Sequence, residues 1–111
     1  MKTATLQKPS INQIDCPSEY NKLSKHQQAV LQLWISQHLK PHKQKSFSGP
    51  SSYFLKHWFE YSQRGFYISN GCMKGAMAAA GFEAKDDSYK NWTYQLPAKL
   101  QRIDFANLPR W

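Results

Sequence analysis

Apolar side chains recur at helical spacing three times along this chain, and each recurrence opens at a serine. The first begins at Ser24. Val30, Leu31, Trp34, Ile35 and His38 then fall on one stripe of a helix. Ser24 and Gln27 fit a capping box, in which hydroxyl and amide satisfy each other's backbone N–H groups. Pro41 stops this helix after Lys40, because the residue before a proline avoids the α region. Residues 41–51, rich in Ser, Pro and Lys, read as a loop. A second helix is predicted from Ser52 to about Gln63. Its inner face is Leu55, Trp58, Phe59 and Ser62, with Lys56, His57 and Glu60 elsewhere around it. Gly65 is expected to supply its left-handed cap. Phe66, Tyr67 and Ile68 read as a short extended link. Ser69 caps a third helix with a narrow apolar face of Met73, Ala76, Met77 and Ala80, ended by Gly81. Its many small residues leave this helix thin, suited to close approach to a neighbouring helix or to a groove.

Beyond Gly81 the period changes. Phe82 to Lys85 and Trp92 to Leu96 alternate as strands do, which predicts a hairpin with a polar tip over 86–91. The expected fold class is therefore α+β, a three-helix core with a C-terminal β-hairpin. Residues 1–16 read as a flexible polar arm, and residues 17–97 as the domain. Residues 98–111, with Leu100, Ile103, Phe105, Leu108 and Trp111, read as a tail packed back on it.

Charge narrows the range of partners. The 111 residues carry a formal net charge of +8, with seven Lys/Arg against two Asp/Glu in 1–50 and eight against five in 51–111. The most basic stretch, Lys40, His42, Lys43 and Lys45, lies in the predicted loop. Such a balance favours polyanionic partners: DNA, RNA or an acidic protein surface. The first residues lack the apolar run of a signal peptide, and no stretch approaches the ~20 apolar residues of a membrane span. A cytoplasmic protein with no membrane partner is expected. Cys16 and Cys72 make no disulfide framework. Neither they nor the four histidines have the spacing of a metal site. A Cys72–His57 catalytic pair reads more simply as a structural thiol beside an unrelated histidine. No catalytic residue and no cofactor is expected.

In element order, over about two thirds of the chain, the segment resembles a winged helix-turn-helix. The stretch SSYFLKHWFE…GFYISNGCMKGAMAAAGF also resembles a recurrent motif of small phage and mobile-element proteins. The resemblance implies double-stranded DNA as the partner, with the third helix in the major groove. Asn70 and Lys74 are then the groove contacts, while Lys56, Arg64, Lys85 and Lys90 meet phosphates. His57 can add to them, and the N–H groups around Cys72 can receive a phosphate. A homodimer is the usual form of such a reader. Tyr53, Phe66, Tyr67, Tyr89 and Trp92 could instead stack on unpaired bases. The alternative from another class is a phage-encoded inhibitor of a host defence system, similar to anti-CRISPR proteins. It would bind a host protein or nucleoprotein complex through the thin helix and the apolar tail.

Overall fold

In the computed structural model, residues 13–102 are described. Ser24 begins the first helix as its sequence predicts. Its backbone N–H donates to Gln27 Oε1 (2.9 Å), and Gln27 N–H donates to Ser24 Oγ (3.1 Å). Helix α1 runs over Lys25–His38 and ends at Leu39, ahead of a 3-10 turn over Lys40–His42 that contains Pro41. Ser51 caps α2, Ser52–Tyr61, and Ser69 caps α3, Asn70–Ala79. Each of these hydroxyls takes up a helix N–H that would otherwise lack a partner.

The core forms where the three apolar stripes meet. Leu31, Trp34 and Ile35 of α1, Leu55 and Phe59 of α2, and Met73, Ala76 and Met77 of α3 are buried completely. Burial of one such large side chain is worth about 1.5–3 kcal/mol. The aromatic rings meet edge to face, with Trp34 at 5.0 Å from Trp58 and 5.5 Å from Phe59, and Phe59 at 5.1 Å from Phe66. That geometry adds to the gain from area alone.

Gly65 does not end α2 as a left-handed cap. Among the described residues only Gly81 has a positive φ, of 92°. The α2 terminus closes instead on Ser62, whose hydroxyl donates to the Phe59 carbonyl at 2.6 Å.

The predicted β-hairpin is absent, and with it the α+β, winged-helix-like class. Helix accounts for 57% of the described residues and none lies in a strand, so this is an α-rich globule. The alternation was real, because Phe82, Tyr94 and Leu96 are buried while Glu83 and Lys85 are exposed. The backbone partners lie elsewhere. Only Lys85 N–H to Thr93 O (3.0 Å) joins the two segments main chain to main chain. Gln95 O accepts from Gln44 N–H, Trp92 O accepts from Ser52 N–H, and Thr93 makes an isolated bridge with Ser51. The second segment is thus tied to the α1–α2 loop and the start of α2. Period-two burial came from an extended segment laid over the core, not from a ladder.

Before α1, two 3-10 turns over Gln13–Asp15 and Pro17–Lys22 pack on α3. The folded body therefore includes Asp15 and Cys16. No described helix is long and apolar enough to cross a membrane.

Candidate nucleic-acid interface

Two glycines in α3 decide what its first turns can reach. A Cβ on Gly71 would overlap the carbonyl oxygen of Cys16, and one on Gly75 would overlap that of Pro17. The thin side of α3 is therefore filled by the protein's own N-terminal turns. Asn70 and Lys74, one helical turn apart, face the same junction. Asn70 Nδ2 lies 3.0 Å from Asp15 Oδ1, 3.0 Å from Asn91 Oδ1 and 3.1 Å from the Lys90 carbonyl. Its Oδ1 accepts from the Ser52 hydroxyl at 2.8 Å. Lys74 Nζ donates to the Asp15 carbonyl (3.0 Å) and sits 4.6 Å from the centre of the Trp92 ring. Burial pushes the Lys74 ammonium below its ordinary pKa, opposed by the charge of Asp15. With 5% and 4% of their surface exposed, Asn70 and Lys74 are occupied as internal ties. They hold the N-terminal turns, α2, α3 and the 90–92 turn together.

The first turn of α3 is similarly occupied. Ser69 Oγ accepts from Cys72 N–H at 3.2 Å, and Cys72 Sγ donates to the Glu19 carbonyl at 3.4 Å. Cys72 is buried and is not joined to Cys16 by a disulfide. His57 lies against other partners, Tyr53 and Glu60. Among the described residues no group of His, Cys, Asp and Glu is arranged to hold a metal ion.

Helix α2 presents the opposite picture. Its inner residues Leu55, Trp58 and Phe59 turn Tyr53, His57 and Tyr61 outward, at i, i+4 and i+8. Lys56 lies beneath this surface, 7% exposed, and its Nζ meets Glu60 Oε2 at 2.8 Å. The same oxygen accepts from Ile68 N–H at 3.0 Å, so Glu60 clasps the 66–68 link to α2. The clasp fixes the backbone next to Tyr67. Lys56 Nζ is 4.9 Å from the Tyr67 ring centre and 5.9 Å from that of Tyr53, within the range of cation–π attraction. Tyr53 also meets His57 edge to face at 4.4 Å.

The remaining expected contacts, Arg64, Lys85 and Lys90, have exposed side chains. Lys85 is flanked by the exposed acids Glu83, Asp86 and Asp87. Asp86 accepts from the backbone N–H and hydroxyl of Ser88 at 2.9 and 2.6 Å, which holds its carboxyl below the usual range. Of the other described acids, Asp15 and Glu19 are buried and Glu60 is half-buried.

The structure thus leaves three of the six expected contacts, Lys56, Asn70 and Lys74, buried among protein partners. Of the stacking candidates, Tyr53, Tyr67 and Tyr89 are exposed, whereas Phe66 packs on Phe59 and Trp92 covers Lys74. Tyr61 and the clasp residue Glu60 were missed by sequence reasoning. Tyr61 was recoverable, because a residue eight after Tyr53 shares its helix face. The clasp was not, since it joins α2 to a backbone N–H outside the helix. The tail residues Ile103, Phe105, Leu108 and Trp111 lie outside the described residues. No family model, no curated protein and no solved structure matches this chain.

Proposed function

We propose that this chain is a small basic nucleic-acid-binding protein. The observation that supports it is the segregation of charge on the surface. Among the described residues, every exposed acid lies between Glu83 and Asp87. The other described acids are withdrawn: Asp15 against Asn70, Glu19 with Lys22 at 2.8 Å, and Glu60 with Lys56. Outside that one turn the exposed charged side chains among the described residues are all basic, Arg64 and Lys90 among them. Such a field draws in phosphate backbones and releases their counterions. In this reading Asn70 and Lys74 are structural, and contact is made by exposed cations rather than by a recognition helix.

The test is fluorescence anisotropy of labelled DNA and RNA against the protein across a salt series. Binding is expected to weaken with a log–log slope of about −3 or steeper. Lys90→Ala should make that slope shallower by about one unit, as expected for one lost phosphate contact. Absence of binding at low salt would overturn the proposal and turn attention to an acidic protein surface.

A further inference from the structure

The two tyrosines over Lys56 are not ordinary exposed rings. Scattered single aromatic residues on a surface need no explanation. Here Tyr67, 73% exposed, and Tyr53, 51% exposed, flank one ammonium that attracts both ring faces. The ammonium is neutralised by Glu60, and Glu60 also fixes the backbone that carries Tyr67 through Ile68 N–H. Both rings therefore lie against the same ammonium before any ligand arrives, which reduces the ordering cost of binding. A cavity of ≈ 230 Å³ adjoins Tyr67, lined by Ile14, Leu23 and Cys72 together with Lys22. One end of the platform thus adjoins a recess whose wall also carries the Lys22–Glu19 ion pair.

We infer that Tyr53 and Tyr67 form a stacking site for unpaired bases, so that the favoured ligand is single-stranded nucleic acid. The inference rests on the nucleic-acid reading above. Flat aromatic faces recognise the faces of bases, which a duplex hides in its own stack and a single strand offers. Tyr89 supplies an internal control. It is equally exposed, but it stands in the acidic turn with Asp86 and Asp87.

The experiment uses the full chain with a labelled oligothymidylate of about 12 nucleotides and a duplex of the same length. Tyr67→Ala is expected to weaken single-strand binding about 5- to 100-fold, the range seen for loss of one base–aromatic stack. Tyr67→Phe keeps the ring and should retain affinity, and Tyr89→Ala should change nothing. The salt slope should stay as in the parent chain, because no phosphate contact is lost. Duplex affinity should be unaffected by all three. Circular dichroism verifies that each variant is folded. If Tyr67→Ala leaves single-strand affinity unchanged, or lowers single-strand and duplex binding equally, the stacking site is refuted while nucleic-acid binding stands. If the parent chain binds neither strand at low salt, the reading beneath it fails as well.

Discussion

Helices α2 and α3 have the same length, ten residues, and each begins at a capping serine. They use their polar residues in opposite directions. In α3 the sparse polar side chains, Asn70 and Lys74, turn inward and join four parts of the fold. In α2 the large aromatic residues divide between an inner face and an outer face, and the outer one carries Tyr53 and Tyr61. The difference follows from side-chain volume. A helix of Gly and Ala lets another backbone come so close that its polar residues are enclosed. A helix of Trp, Phe and Tyr cannot bury every ring, so some remain at the surface. Residue type alone therefore does not tell that Asn70 and Lys74 of α3 are enclosed while Tyr53 of α2 is exposed.

The sharpest way to break this contrast is to thicken α3. Gly71→Ala would drive a methyl group into the Cys16 carbonyl. It is expected to destabilise the protein by about 3 kcal/mol, at the upper end of overpacking costs. At Gly81 nothing lies within 4 Å of an added Cβ. Gly81→Ala should cost only about 1–2 kcal/mol, from its left-handed φ. Urea denaturation of both variants measures the gap.

Next in size is Asn70→Ala. It leaves Asp15 Oδ1 and the Ser52 hydroxyl buried without this partner, for about 2 kcal/mol. A thermal melt reads the loss.

How much of this was legible in the sequence depends on the range of the cause. The three helices and the cap residues Ser24 and Ser69 were legible because periodicity and capping are local. The C-terminal hairpin was misread because alternation reports which side chains are buried, not which backbone groups pair. Gln95 bonds to Gln44, and Trp92 bonds to Ser52, across spans that no local pattern encodes. The site divides in the same way. Exposure of Tyr53 follows from the inner face of α2. Burial of Lys74 depends on Asp15, 59 residues away in sequence.

The smallest effect expected is at Tyr94, which belongs to neither helix. Its ring is in the core and its hydroxyl has no hydrogen-bond partner among the described residues. Burial raises the phenol above its ordinary pKa of about 10. A raised folded-state pKa gives stability that is complete below pH ~10 and is lost as pH climbs beyond it, because only the unfolded chain then releases the proton. Tyr94→Phe should flatten that alkaline loss. At neutral pH it should change stability by less than about 1 kcal/mol, since no hydrogen bond is removed. Lys74 contributes with the opposite sign, because its lowered pKa lifts a burial penalty as pH rises. Comparing variant and parent at each pH cancels it. Urea midpoints at neutral pH and at about pH 11 test the claim.

The most direct test of the contrast between the helices measures unfolding and single-strand affinity side by side in Asn70→Ala and Tyr67→Ala, with binding recorded well below either melting temperature. The account predicts a double separation. Asn70→Ala should melt early yet bind as the parent does, and Tyr67→Ala should melt as the parent does yet bind weakly. Weak binding by folded Asn70→Ala, with Tyr67→Ala unaffected, would return the interface to α3 and contradict the account.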